Sequence, residues 1–496
     1  MKKRRPYSNK ALSWRMLLPC AVSLLALGVC SKSSPLYPMN DWVDVNCFFT
    51  VGRGILRGLM PYRDLYDQKG PLVYLAYALA AAVSESSFLG VFLLEVCCFA
   101  AFLALSGRLA EDLSGIRGAY WPAAALLAVL IPVTPAFSHG GSAEELFLPV
   151  LVLGLGVTLR AARARRPMTN GEAFTLGACA AAALWTKYTF CGLFAGLAAA
   201  ILFRYAFSGM ARRLPSFLGF ALLGAAAVTA PVLGWFAARG ALPDLWQAYF
   251  VSNLTAYSRN IRGGVYDPPL LNLLNNLTWS VPAALGLIWL TSGGRERGWE
   301  AASAWLGAVC LFAFTYASGR RYPYYALVLS ALAPLGLAAV CAWAGKALRG
   351  KTSRRGTRRR AATALTVCLT AAILPAAYAM SGNTYLMRIP REDTPQYRFA
   401  SVIRQAEDQT LLNYGFLDGG FYFASGVTPS DRWFCTLNID LPEMEESMRS
   451  SLRAGEPAFV VTRRQELDGS LPYHLADSCT MPFERRYWTY FLYERN

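Results

Sequence analysis

Histidine is almost absent from this 496-residue chain. The two present, His139 and His474, stand apart from any CxxC or His/Cys cluster, so no structural metal site is signalled. Charge is scarce as well: 16% of residues are charged against 55% hydrophobic, which excludes an ordinary soluble protein and marks a polytopic membrane protein. The chain lacks Gly-x-Ser-x-Gly and paired intramembrane aspartates, which disfavours an intramembrane protease. It also lacks an internal repeat, which counts against a transporter or lipid flippase without removing either. Lysine disappears from the last segment: from Ser381 onward 12 Arg face 16 acids, a balance of −4, and the overall +17 therefore leaves +21 on the first 380 residues. Those cations flank apolar runs, as topology signals do, and nucleic acid is not the expected partner.

The apolar runs lie at about 11–30, 88–106, 119–136, 145–160, 173–186, 190–206, 216–238, 271–291, 300–317, 324–344 and 361–379. Most approach the length needed to cross the hydrocarbon core. With Lys2 to Arg5 inside, alternate loops fall inside and are the Arg-rich ones: Arg108 to Arg117, Arg160 to Arg166, Arg204 to Arg213, Arg295 to Arg297 and Lys346 to Arg360. The predicted fold is an all-α membrane core of about 11 spans at residues 1–380, with interfacial helices in the first external loop. A small external α/β domain follows at 381–496. The expected location is the plasma membrane, multi-pass, with a cytoplasmic N-terminus. A further run, Pro71 to Val83, is short for a crossing and reads as a helix in the outer interface, with Tyr74 and Tyr77 suited to that depth. The first run resembles a signal peptide, but Val29 before Cys30 is a poor cleavage residue, so it reads as a retained anchor. In the tail, 396–409 and 441–452 read as helices and 411–416, 458–462 and 486–493 as strands, while Cys435 and Cys479 are the two cysteines available to pair.

On this topology the unusual polar residues gather on outward segments. Asp41, Asp44, Tyr62, Arg63, Asp64, Asp67 and Lys69 crowd the first loop; His139, Glu144 and Glu145 open a span; Lys187 occupies a short turn; Arg320 and Arg321 precede Tyr322-Pro-Tyr-Tyr325. Moving a sugar from a phosphate-linked donor needs a carboxylate to take the acceptor's proton and cations to stabilise the departing phosphate. Asp44 or Asp41 fits the base. Lys69, Lys187, Arg320 and Arg321 fit phosphate, and Arg63, His139, Glu144, Glu145 and Tyr322 fit the sugar or acceptor. A divalent cation shared by Asp41, Asp44 and Glu144 stays open.

The run from Asp44 through Met-Pro-Tyr-Arg-Asp-Leu-Tyr-Asp-Gln-Lys-Gly-Pro-Leu resembles the first external loop of polytopic GT-C glycosyltransferases, the group of protein O-mannosyltransferases and the lipid A aminoarabinose transferase. Ser-Ala-Glu-Glu-Leu-Phe-Leu-Pro, Trp-Thr-Lys-Tyr and Arg-Arg-Tyr-Pro-Tyr-Tyr follow in the same order, so the likeness spans roughly residues 11–345. The resemblance implies Asp44 as general base, Lys69 beside donor phosphate and Glu144 or Glu145 as a second acidic position. It implies a polyprenyl-phosphate sugar as donor, an acceptor that is a glycan, lipid or protein, and inversion at the anomeric carbon. Tyr324 stands where many relatives carry histidine, which puts a phosphate or proton role there in doubt.

Structural roles compete with these. Asp44 can cap a helix, Glu144 and Glu145 can stabilise a first turn, Arg63, Asp64 and Asp67 can pair locally after Pro61, and Lys69 and Lys187 can snorkel. Glu95, inside a span, has no assigned role. A non-catalytic envelope assembly protein is the remaining alternative.

Overall fold

The computed structural model describes residues 9–257, 268–347, 355–439, 441–483 and 486–496. The basic start Lys2 to Arg5 and parts of the 346–360 and 241–269 segments lie outside the described residues. In chain order the helices are α1 (Asn9–Cys30), α2 (Val43–Leu56), α3 (Pro71–Val83), α4 (Leu89–Ser114), α5 (Tyr120–Leu130), α6 (Ala143–Arg163), α7 (Asn170–Thr186), α8 (Cys191–Phe207) and α9 (Leu214–Ala238). Next come the short α10 (Leu242–Leu245) and α11 (Pro269–Leu274), then α12 (Leu277–Thr291), α13 (Gly298–Tyr316), α14 (Ala333–Ala347) and α15 (Arg355–Met380). Among the described residues six helical stretches are long and apolar enough to cross a membrane: Leu89–Ser114, Ala143–Arg163, Tyr188–Phe207, Ala211–Ala238, Pro323–Ala347 and Arg360–Met380. Arg15–Cys30, Tyr120–Leu130 and Leu277–Thr291 are apolar but shorter. Large side chains such as Leu222 on α9 and Val367 on α15 are exposed, as a lipid-facing helix requires.

The chain forms two compact units, one of Met1–Cys30, Glu95–Ala230 and Val265–Ser381, the other of Ser31–Leu94, Pro231–Gly264 and Gly382–Asn496. In the first, helices meet through glycine. A Cβ on Gly192 or Gly196 of α8 would strike the Cys310 or Leu306 carbonyl of α13, one on Gly177 of α7 the Ala221 carbonyl of α9, and one on Gly336 of α14 the Pro282 carbonyl of α12. Apolar chains gain little from burial between helices when the surroundings are lipid, so close backbone approach through small residues is what holds such helices together.

The second unit packs α2 on α3 and adds the tail. A Cβ on Gly52 would lie 2.7 Å from Ala78 N, so α2 and α3 touch backbone to backbone. At 13 residues α3 spans about 20 Å, short of a hydrocarbon core. Tyr74 and Tyr77 do not face an interface: both are fully buried, with ring centroids 6.3 and 5.4 Å from Phe48. They fall three residues apart on one helical face, and that face is the one turned to α2.

The tail holds α16 (Pro395–Ile403), α17 (Phe421–Ser425) and α18 (Pro442–Ala454) with a four-stranded sheet in the order β1-β2-β4-β3. β1 (Leu411–Asn413) runs parallel to β2 (Phe459–Arg463) across a helical crossover, and β4 (Arg486–Arg495) runs antiparallel to both β2 and β3 (Tyr473–Phe483). Strand β3 has no counterpart among the sequence-predicted elements. Asp477, Ser478 and Pro482 interrupt its pattern, and they are tolerated because β3 is the sheet edge.

Candidate active site

In the second unit the chemistry begins at the start of α2. Asp44 lies in the first turn, where a carboxylate is favoured by the helix dipole, and Trp42, the residue before the helix, offers no side-chain cap. The Asp44 carboxylate lies 3.6 Å from Lys69 Nζ, with side-chain exposures of 11% and 12%. That separation is an ion pair without a short hydrogen bond, and both groups keep some access to a ligand.

Lys69 is placed by its peptide as much as by its charge. Its N–H donates to Tyr74 Oη at 2.8 Å, and its carbonyl accepts from Tyr62 Oη at 2.5 Å. Tyr74 belongs to α3, which starts at Pro71 with Gly70 as its extended entry residue, so the helix start fixes the distance from Lys69 to its tyrosine clamp. Tyr62 is fully buried and left-handed, with φ 72°, a conformation a bulky residue adopts only when its surroundings hold it there. Asp67 is buried beside them: burial pushes its carboxyl above the usual range, Lys69 pulls it down, and Oδ1 accepts from Gln68 N at 2.7 Å.

Asp41 is engaged differently. Lys32 Nζ contacts its Oδ1 at 2.7 Å with both side chains essentially buried, and Lys32 also reaches Tyr385 Oη at 3.3 Å. Burial opposes the Lys32 ammonium, but Asp41 and Tyr385 outweigh it and hold the pKa above the ordinary lysine value. An acid committed this closely to a buried cation is less available to a ligand than Asp44, whose contact with Lys69 is longer. Arg63 is exposed and spends its guanidinium on its neighbour Asp64 at 2.9 Å and on the Arg239 carbonyl at 3.0 Å.

The tail takes part in holding the loop. Tyr66 N donates to the Arg432 carbonyl at 2.9 Å, Tyr66 packs on Trp433 at 4.5 Å, and Gln68 Nε2 donates to Asn438 Oδ1 at 2.9 Å. On α2, Thr50 Oγ1 donates to Asp418 at 2.6 Å and Arg53 donates to the Tyr422 and Gly426 carbonyls. Burial raises Asp418 to about 6 even though Thr50 and the Gly420 amide favour its ionised form. Cys435 lies 3.9 Å from Cys47 of α2, whereas the thiol of Cys479 points to the Asp393 carbonyl.

The first unit carries a separate cluster. Ser138, Gly140 and Gly141 all have positive φ, which bends the chain sharply into α6. Ser142 caps that helix by accepting from Glu145 N at 3.0 Å, and Glu145 reaches back to Gly141 N at 2.9 Å. Glu145 is wholly buried and hydrogen-bonds the carboxyl of Glu95 on α4, so two carboxyls share this position. Glu144 contacts Lys187 Nζ at 2.5 Å, and the same ammonium lies 3.6 Å from the Tyr325 ring centroid. Lys187 ends α7 in an extended conformation, so its side chain leaves the helix instead of continuing along it. Arg320 is buried with Tyr322 Oη at 3.4 Å, and His139 is buried. The Arg321 carbonyl accepts from Asn272 at 3.4 Å.

Sequence patterning did not reveal Lys32 as the partner of Asp41, nor the tail residues Arg432, Trp433 and Asn438 that brace the loop. The one available signal was Lys32 itself, a lysine directly after an apolar run. Among the described residues no group of three or more His, Cys, Asp or Glu side chains is placed to hold a metal ion.

No protein-family model matches the chain, and no curated protein matches it. Among solved structures, ArnT from Cupriavidus metallidurans bound to undecaprenyl phosphate superposes with a TM-score of 0.60 over 98% of both chains at 16% identity. The Archaeoglobus fulgidus oligosaccharyltransferase tethered to an acceptor peptide matches 90% of this chain and 69% of its own, at 13% identity and a TM-score of 0.47. The likeness to ArnT shows the GT-C glycosyltransferase fold, a polytopic membrane core with a small C-terminal α/β domain.

Proposed function

We propose that the protein is an integral plasma-membrane glycosyltransferase that moves a hexose or pentose from a polyprenyl-phosphate donor to an acceptor hydroxyl of a glycan, lipid or protein on the outer face. The observation that carries this reading is the Asp44–Lys69 pair, a largely buried carboxylate and ammonium 3.6 Å apart that keep a narrow access to ligand. Its Lys69 peptide is pinned by two buried tyrosines. ArnT, which shares the fold, is bound to undecaprenyl phosphate, and a lipid-linked donor of that class suits a site reached from the bilayer.

The reaction is a single displacement. The acceptor oxygen bonds to the anomeric carbon as the bond from that carbon to the phosphate oxygen breaks, with inversion. The acceptor proton passes to Asp44, and polyprenyl phosphate leaves with the electron pair. Donor phosphate draws Lys69 away from Asp44, so one binding event both neutralises the leaving group and frees the base. Asp41, held by Lys32, is the reserve acid of this reading, and a divalent cation is not assigned. Lys187, held between Glu144 and Tyr325, and Arg320 and Arg321 are assigned to donor phosphate in this reading. Glu144, Glu145, His139, Arg63 and Tyr322 are assigned to sugar or acceptor. The 1–380 region carries the transfer chemistry and 381–496 is its external domain, with the N-terminus inside.

The test is consumption of a panel of radiolabelled polyprenyl-phosphate sugars by purified protein in liposomes supplied with envelope glycan and lipid extracts. Label leaving one donor and entering an acceptor fraction is expected. Label that stays on every donor overturns the proposal.

A further inference from the structure

The tail contains a cavity of about 140 Å³ that the reaction described above does not use. Trp433 and Met448 line its buried part, and Asp431, Ser451 and Glu456 line its more exposed part. An enclosed cavity of about 150 Å³ admits benzene, so this one, open to solvent at Glu456, takes one face of a larger six-membered ring. Its walls are unlike those of an apolar core void. Two carboxylates and a serine hydroxyl share the lining with a tryptophan, a combination that suits a pyranose, whose hydroxyls donate to the carboxylates and whose C–H groups meet the apolar wall. Asp431 is oriented for this: its Oδ1 accepts from Trp433 N at 2.8 Å, which fixes the carboxylate on the same turn as the indole.

From this geometry we propose that the cavity is a docking site for a pyranose ring of the acceptor, so that the acceptor is a carbohydrate chain or a glycolipid. The inference rests on the glycosyltransferase reading and names its acceptor class. Trp433 is the link between docking and chemistry. Its ring packs on Tyr66 at 4.5 Å, the Arg432 guanidinium lies 5.0 Å from each of those two rings, and the Tyr66 amide bonds the Arg432 carbonyl. Tyr66 begins the Tyr-Asp-Gln-Lys stretch that ends in Lys69. A ring docked in this cavity is therefore held next to the loop that presents Lys69.

Two measurements on the full-length protein test it. Saturation-transfer NMR with methyl pyranosides should show ring-proton contacts for wild type and for Asp44→Asn. Contacts should weaken at least tenfold in affinity for the double variant Asp431→Asn/Glu456→Gln, whose changes preserve side-chain shape. In the transfer assay the same double variant should raise the acceptor KM at least tenfold while kcat and the donor KM stay within twofold. Pyranoside binding that is undetectable, or equal in wild type and double variant, overturns the site. Binding that follows the prediction while no donor is consumed by wild type overturns the glycosyltransferase reading and leaves a carbohydrate-binding tail. A fall in kcat alone would mean that these carboxylates only support the fold of the tail, and would also overturn the site.

Discussion

Asp44 and Asp41 stand three residues apart in sequence, and nothing in composition separates them. Their partners do. Asp41 is held at 2.7 Å by a fully buried lysine, while Asp44 shares a looser 3.6 Å contact with Lys69. The residue pattern pointed to both acids and to Lys69, but Lys32 belongs to the end of an apolar run and its contact depends on how the chain turns after α1. Lys69→Ala should therefore cost donor binding as well as rate, with the KM for the polyprenyl donor rising at least tenfold. Lys69→Arg should recover part of the loss, as measured by steady-state kinetics on the liposome assay. Asp418 gives a pH test at the same scale. Its folded pKa of about 6 exceeds the value of an unfolded aspartate, so its contribution to stability is full below about pH 4 and is lost as pH rises through about 6. The ionised form costs about 3 kcal/mol by that shift. Asn mimics the protonated carboxyl, so Asp418→Asn should match wild type at pH 4, exceed it at pH 7.5, and flatten the melting-temperature profile between them. Equal profiles would show that Asp418 is ionised without penalty.

Elements were legible where hydrophobic runs were long. Each of the eleven apolar runs falls at least partly on a helix, although the 119–136 run shortens to Tyr120–Leu130 because Pro132 and Pro135 follow. What sequence could not show is which face of α3 turns inward. Tyr74 and Tyr77 read as interfacial anchors by type, yet Gly52 lets α2 approach close enough to bury them against Phe48. The cysteines are a similar case: Cys435 lies beside Cys47, a neighbour from another element that tail spacing alone does not reveal. Gly52→Ala should force α2 from α3 and cost about 1–3 kcal/mol. Because Asp44 lies on α2 and Lys69 directly precedes α3, it should lower transfer more than the fall in melting temperature alone would suggest. Tyr74→Phe is the finer probe. It leaves packing intact but deprives the Lys69 amide of its acceptor, and transfer should fall about tenfold, in line with a lost hydrogen bond at a buried amide. Unchanged transfer in both variants would show that loop geometry does not govern activity.

At the scale of the whole molecule, the proposed topology puts the Arg-rich short loops inside and the tail outside the cell. Reporter fusions check this: alkaline phosphatase joined after Asn496 should be active and a fluorescent protein there dark, and the reverse would place the tail inside. The central claim is narrower than the topology: Asp44 removes a proton as a sugar leaves its lipid phosphate. Single-turnover transfer from a polyprenyl-phosphate sugar, compared between wild type and Asp44→Asn at equal abundance in liposomes, addresses it directly. The account predicts a fall of about 10²–10⁴-fold in rate with donor binding retained, the range expected for loss of a general base. Transfer by Asp44→Asn at the wild-type rate would contradict it.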